Sequence, residues 1–139
     1  MMKVIDNGLT PEIFTSLRKT GPFMEYKSND IKEALKNTLY NVVVYDGDTP
    51  IATARLVGDN RICFFIKDFV VIPDYQGKGV GTLIMHKLFQ YIEEHGCENC
   101  YIGLMSTPHK EGFYEKFGFI RRPNEEYGAG MVMYLKGGN

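Results

Sequence analysis

Val70-Val71-Ile72-Pro73-Asp74-Tyr75-Gln76-Gly77-Lys78-Gly79-Val80-Gly81-Thr82 joins an apolar, strand-like run to an amphipathic helical one. Pro73 and the glycines break the strand. Val80, Ile84 and Leu88 then recur at four-residue spacing, and Leu83, Tyr91 and Ile92 widen the stripe. The helix is expected to stop near His95-Gly96, with glycine at the stop. Gly77, Gly79 and Gly81 leave backbone N–H groups unshielded by a Cβ. Those groups coincide with the orphan donors and the positive end of a helix N-terminus. Such a passage is suited to cradling a pyrophosphate, and Lys78 adds one point charge. The plainer alternative is a tight turn with close helix packing. The spacing is neither a Walker A loop nor G-x-G-x-x-G.

Working outward, Lys3 to Ile5 reads as a first strand. Thr10-Pro11 reads as an N-cap with proline at the first helical position, opening a helix that ends near Gly21-Pro22. A second helix is expected from Asn29 or Asp30, with Asp30 and Glu33 in capping-box spacing and Ile31, Leu35 and Leu39 on one face. The period then changes. Asn41 to Tyr45, Ile51 to Leu56 and Arg61 to Ile72 read as strands, separated by turns at Asp46-Gly47-Asp48 and Asp59-Asn60. Such a meander is antiparallel. Beyond the long helix, Tyr101 to Met105 is expected as a strand and Glu111 to Phe117 as a short helix stopped by Gly118. Phe119 to Arg121 and Met131 to Leu135 are expected as two closing strands. The order β-α-α-β-β-β-α-β-α-β-β is α+β with one central strand–helix–strand crossover.

The whole chain, 1–139, has the length of a single domain, at 15.9 kDa. It is 44% hydrophobic and 24% charged, which excludes a disordered tail, a coiled coil or a collagen-like fibre. Sixteen Lys+Arg against seventeen Asp+Glu give a formal charge of −1, so no global basic field recruits nucleic acid or an anionic membrane. No apolar run is long enough to span a bilayer. The N-terminal residues lack the apolar core of a signal peptide. The 3 cysteines cannot complete a disulfide framework, and a reducing cytoplasmic home is expected. Cys97-Glu98-Asn99-Cys100 lacks the second pair that structural zinc normally needs, and it follows a helix rather than opening one.

Gln76-x-x-Gly79-x-Gly81 resembles the Arg/Gln-x-x-Gly-x-Gly/Ala acyl-CoA loop of the GCN5-related N-acetyltransferase (GNAT) family. Phe69-Val70-Val71-Ile72-Pro73 resembles that family's strand-to-loop lead-in. Glu111-Gly112-Phe113-Tyr114-Glu115-Lys116-Phe117-Gly118-Phe119 resembles its Phe-Tyr-x-Lys-x-Gly-Phe segment. One helix and one strand separate the two motifs, as in the family, and the element order is similar over nearly the whole chain. The resemblance implies the GNAT acyl-CoA N-acyltransferase fold. That fold is a mixed, mostly antiparallel sheet flanked by helices, with splayed central strands between which the pantetheine arm lies like an added strand.

The same resemblance implies site residues. Phe69, Val70 and Val71 would offer main-chain groups to the pantetheine. Backbone N–H groups of Gln76, Gly77, Lys78, Gly79, Val80, Gly81 and Thr82 would hold the pyrophosphate of acetyl-CoA. Tyr114 matches the tyrosine that protonates the leaving thiolate in many members. The alternative is that Tyr114 only packs beside Phe113, Phe117 and Phe119. Val71 N–H is the expected oxyanion donor. Asp68, a charge interrupting an apolar strand, is the expected base or amine anchor, the alternative being a solvated face. His109 is the weaker candidate. Thr107 stands where many members carry an asparagine toward the pantetheine.

The expected activity is direct acetyl transfer in a ternary complex to a primary amine on a small molecule. A protein lysine or N-terminal acetyltransferase and a non-catalytic acyl-CoA-binding regulatory module are the alternatives. A homodimer is a family-level expectation. Two aromatic and acidic segments, Gly21 to Lys27 and Pro123 to Gly130, would suit an amine with an apolar body, and solvated loop chemistry is the alternative there.

Overall fold

The computed structural model describes residues 1–137, in two compact units: Met1–Leu104, and the chain from Met105 onward. The first unit holds a five-stranded sheet. Its strands are β1 (Met2–Asp6), β2 (Tyr40–Asp46), β3 (Thr49–Gly58), β4 (Cys63–Val71) and β5 (Tyr101–Gly103), in that spatial order. β1 to β4 are an antiparallel meander, and β5 pairs parallel to β4. Helix α3 (Val80–His95) makes the crossover between β4 and β5.

Both sheet faces are covered, and this explains β2. Val42, Val43 and Val44 are all fully buried. Alternation sends neighbours to opposite faces. Val43 packs with Leu9, Phe14 and Ile31 from the side of α1 (Pro11–Arg18) and α2 (Ser28–Lys36). Tyr40, on the parity of Val42 and Val44, stacks on Tyr91 of α3 with ring centroids 5.0 Å apart. α3 meets the same side with the buried Val80, Ile84, Met85, Leu88 and Ile92.

Thr10 caps α1 as its side chain accepts from Ile13 N–H at 3.2 Å, with Pro11 following. α2 begins earlier than its capping-box spacing suggests. Lys27 is its N-cap without a side-chain cap, and Asp30 sits in the first turn, where its charge meets the helix dipole. α2 ends at Lys36, so Leu39 lies beyond it.

The β3–β4 turn is fixed by backbone geometry. Asp59 Oδ1 accepts from the N–H groups of Arg61, Ile62 and Cys63 at 2.9, 2.8 and 2.9 Å. These bonds to the charged form hold the Asp59 carboxyl below its ordinary range. Gly58 has φ +146°, and a Cβ there would lie 2.1 Å from the Cys63 carbonyl oxygen.

The second unit holds α4 (Glu111–Glu115) and irregular chain. The two closing strands expected at Phe119–Arg121 and Met131–Leu135 do not form among the described residues. A strand takes its backbone bonds from a ladder, and β5, last in the sheet order, has its described ladder with β4. Ile120, Met131 and Leu135 remain largely exposed. β5 is likewise shorter than expected, ending at Gly103.

Gly58→Ala is expected to cost about 2 kcal/mol or more, from the strained φ and the carbonyl clash. Denaturant melts of the two proteins measure it, and equal midpoints would refute this account of the turn.

Candidate functional site

The functional candidates of the first unit converge on the β4–α3 connection. The ladder between β4 and β5 stops at Phe65↔Gly103, well short of Val71. Ile72 N–H donates to the Ile51 carbonyl at 3.0 Å, toward β3. Extended backbone alternates its hydrogen-bonding direction, so Val71 turns its N–H and C=O to the opposite edge. The Val71 carbonyl accepts there from Gln76 Nε2 at 2.8 Å. The Gln76 side chain thus ties the following turn to the end of the strand.

A 3₁₀ turn at Pro73–Tyr75 leads into the glycines. Gly77 and Gly79 have φ of +76° and +85°, the left-handed region that favours glycine, and nothing lies within 4 Å of where their Cβ would be. Gly79 is the N-cap of α3 and supplies no side-chain cap. Its carbonyl accepts from Leu83 N–H at 3.1 Å, which starts the helix. Val80 anchors the first turn in the core, at 2% exposure. Gln76, Gly77, Lys78, Gly79 and Thr82 are exposed, and Gly81 is half-buried. Lys78 Nζ rests 5.5 Å from the Tyr75 ring centroid. An open run of helix-terminal amides with bare glycines is a fit for a phosphate group.

Asp68 is neither solvated nor on the face its sequence parity suggests. Pairing places Phe64 and Ile66 opposite Gly58 and Leu56. Leu56 opposite Tyr40 belongs to the α3 face. Simple alternation would add Asp68 to that apolar face. Instead the β3–β4 register slips between Thr53 and Arg55, and Asp68 adopts φ +54°. The slip is a β-bulge, with Asp68 and Phe69 set against Ala54. It turns Asp68 to the α1 face, where one carboxylate oxygen accepts from Arg18 and the other from Arg55. Asp68 is 7% exposed.

Arg18 carries a second bond, from Nη2 to the Met24 carbonyl at 2.7 Å. Its guanidinium lies 4.8 Å from the ring centroids of Phe14 and Phe23 and 5.5 Å from that of Tyr26. These residues line an open pocket of about 350 Å³, completed by Ile31, Glu25 and Lys19 among others. Arg55 Nη1 also donates to Thr38 Oγ1 at 3.1 Å. Neither arginine stands out by residue type or local motif. The available signal was reciprocal: Arg55 interrupts apolar β3 as Asp68 interrupts apolar β4, on adjacent antiparallel strands.

Within the second unit, Tyr114 sits among aromatics. Phe113 meets it edge-on at 5.2 Å, and Phe119 at 6.1 Å. Burial alone pushes its phenol up to about 12. The Thr107 carbonyl accepts from Ser106 Oγ at 2.8 Å and from Lys110 N–H at 3.2 Å, so Thr107 opens the turn before α4. His109 is exposed with φ +70°. Arg121 pairs with Glu115 at 2.9 Å. Cys63, Cys97 and Cys100 are free thiols. Among the described residues no group of three or more His, Cys, Asp or Glu could hold a metal, and no helix is long and apolar enough to cross a membrane.

Residues 10–119 match the model of the acetyltransferase (GNAT) family. An uncharacterized N-acetyltransferase of Pyropia yezoensis, ycf52, is 34% identical over 100 residues, covering 68% of this chain and 55% of that one. A chloroplastic serotonin N-acetyltransferase 2 of Oryza sativa is 36% identical over 85 residues, covering 61% and 40%. The chain therefore spans about half, or less, of the length of these curated relatives. A crystal structure of a Staphylococcus aureus protein, named a probable acetyltransferase, superposes with a TM-score of 0.87 at 30% identity, covering 96% of this chain and 100% of that one. With the open strand edge, the glycine turn and this family match over most of its length, the chain belongs to the GNAT family of N-acetyltransferases.

Proposed function

We propose that the protein is an acetyl-CoA-dependent N-acetyltransferase acting on a small-molecule primary amine with an aromatic or apolar body. The observation that carries this is the open β4 edge running into the glycine turn of α3. Val71 directs backbone groups away from β3 beside amides that glycine leaves bare. Phe69 and Val71 would meet the pantetheine amides by strand addition, whereas Val70, expected to share that role, turns its main-chain groups toward Thr53 of β3. The amides from Gly77 to Thr82 would hold the pyrophosphate, and the Gln76 N–H, expected among them, is already given to the Pro73 carbonyl at 3.2 Å. Thr107, whose carbonyl is engaged in the turn before α4, would offer its side chain to the pantetheine end. Bound acetyl-CoA supplies a thioester carbon open to attack by an amine.

The protein's share is positioning and charge stabilisation. Val71 N–H faces the developing oxyanion. Tyr114 donates its proton to the departing sulfur. Its raised phenol pKa exceeds that of a thiol, near 8.5, so the proton resides on the phenol before transfer. Asp68 anchors the acceptor side of the site. Both its oxygens accept from guanidinium groups, which favours the anchoring role over proton abstraction. The amine would attack in its neutral form, having lost one proton to solvent; the nitrogen would shed a second proton as the amide forms, and that proton, passed through solvent, would restore the Tyr114 phenol.

The acceptor class is supported by the aromatic lining of the pocket, Phe14, Phe23 and Tyr26, and by the carboxylate of Glu25. The Oryza sativa relative is named for serotonin, an amine of this kind. Free Cys63, Cys97 and Cys100 fit a reducing compartment such as the cytoplasm.

Thiol release from acetyl-CoA across pools of amines tests the activity, with aromatic amines expected to be acetylated. Coenzyme binding without thiol release would instead favour a regulatory module, and label on peptides a protein acetyltransferase. Tyr114→Phe is expected to lower kcat by about 10- to 10⁴-fold, the usual span of general-acid effects, with coenzyme affinity nearly intact by calorimetry. Unchanged turnover with chemistry rate-limiting would remove Tyr114 from the mechanism. Because the acid form of Tyr114 persists until about pH 12, no fall in kcat from its ionisation is expected between pH 7 and about 10. A pH–rate profile under single-turnover conditions reads this directly. Gly79→Ala strains a left-handed residue, with an expected stability loss of about 1 kcal/mol, and weakens coenzyme binding more than it lowers Tm. A full-affinity Gly79→Ala protein would exclude the turn as the pyrophosphate seat.

A further inference from the structure

We propose that Arg18 and Arg55 are positioning residues that lock the acceptor loop to the β4 bulge through one shared carboxylate, Asp68. This rests on the acetyltransferase reading for its kinetic expression and on geometry alone for the lock itself.

The bulge is the only route by which Asp68 reaches the α1 face, because alternation from Ile66 would send it to the α3 face. A non-glycine residue at φ +54° is held there by its surroundings rather than by preference. Arg55 holds it from β3, within the sheet, and Arg18 holds it from α1. Arg18 is also the only one of the three that grips the acceptor loop. Its Nη2 takes the Met24 carbonyl at 2.7 Å, while Phe14, Phe23 and Tyr26 enclose its face. The same four side chains line the pocket proposed for the amine. Strand, helix and loop thus meet on one guanidinium. A planar fork with separate donors can bond a carboxylate and a carbonyl together. A lysine ammonium, one compact charge, cannot copy that arrangement.

The consequence is specific. Loosening the lock should disturb where the acceptor sits more than it disturbs coenzyme binding, since the pyrophosphate seat in the glycine turn lies on the far side of Val71 and only the pantetheine contacts of Phe69 and Val71 adjoin the bulge. Arg55 is the sharper probe. It is absent from the pocket lining and touches it only through partners, Asp68 by an ion pair and Thr38 by a neutral hydrogen bond, so a Thr38→Val control separates the two routes.

The test compares Arg18→Lys, Arg55→Lys and Asp68→Asn with wild type, in the full chain. Steady-state kinetics are run against an aromatic amine and acetyl-CoA, with calorimetry of coenzyme binding and amide hydrogen exchange. Arg18→Lys and Arg55→Lys are expected to raise the acceptor KM by about tenfold, the scale of one charge-assisted hydrogen bond, with coenzyme Kd within about threefold. Exchange should quicken in residues 22–27 and 67–71 and stay unchanged in β1 and β2. If Asp68→Asn does not fold, the two lysine variants carry the test, because each keeps its charge. Unchanged acceptor KM and unchanged exchange in both lysine variants would overturn the lock. So would loss of kcat at constant acceptor KM in Asp68→Asn, which would make Asp68 a proton acceptor. If wild type releases no thiol with any amine, the enzymatic reading fails by itself, and the exchange pattern still decides the lock.

Discussion

A single left-handed residue in the middle of β4 organises the acceptor side of this molecule. Regular alternation would bury the Asp68 carboxylate among the apolar side chains that face α3. Isolated charge in such surroundings is prohibitively costly. The bulge avoids that outcome by turning the carboxylate to the other face, where two guanidinium groups meet it. The same slip sets the parity of everything after it. Val70 pairs with Thr53 on the α1 face, and Val71 pairs with Ala52 on the α3 face. The direction in which Val71 presents its amide is therefore settled upstream, at Asp68.

Downstream, the open edge of β4 is created by a mismatch in length. β4 runs from Cys63 to Val71, while β5 has three residues, and its parallel ladder ends at Gly103. The chain leaves that edge through Pro73, which cannot donate to a ladder, and enters α3 through two glycines at positive φ. Each step removes a competitor for backbone hydrogen bonds. No side chain caps α3, and no Cβ shades Gly77 or Gly79. A binding surface made of main chain tolerates sequence change around it. That suits a family in which fold is kept while identity to this chain falls to about a third, as in the Pyropia yezoensis and Staphylococcus aureus relatives.

Much of this was legible in the sequence because it depends on local rules. Thr10-Pro11 announces α1, the four-residue stripe announces α3, and Asp59-Asn60 announces a turn whose carboxylate gathers three amides. The glycine turn was legible because helix termini carry their own electrostatics. The role of Asp68 was not, because it depends on a register slip that no residue type marks. Asp68 takes positive φ without being a glycine, and its two partners lie 50 and 13 residues away in sequence. The expected strands at Phe119–Arg121 and Met131–Leu135 failed for the complementary reason. Alternating apolar residues state a willingness to pair, but a ladder needs an edge to receive them, and the described chain pairs neither segment.

Stability alone does not account for the Arg18–Asp68–Arg55 cluster. Removing charges from water costs several kcal/mol per ion, and well-packed apolar replacements of buried ion clusters are often more stable by about 1–4 kcal/mol. Phe14, Phe23 and Tyr26 already supply an apolar wall that a leucine or methionine at position 18 could complete. What such a replacement could not do is fix direction. Dispersion holds surfaces together at nearly any rotation, whereas a fork of donors fixes angle and distance at the carboxylate and the Met24 carbonyl together. A strand kinked at a non-glycine residue and a loop without regular structure are the parts of this unit with least geometry of their own. They are the parts the cluster joins, and they lie beside the only long stretch of β4 that β5 leaves uncovered.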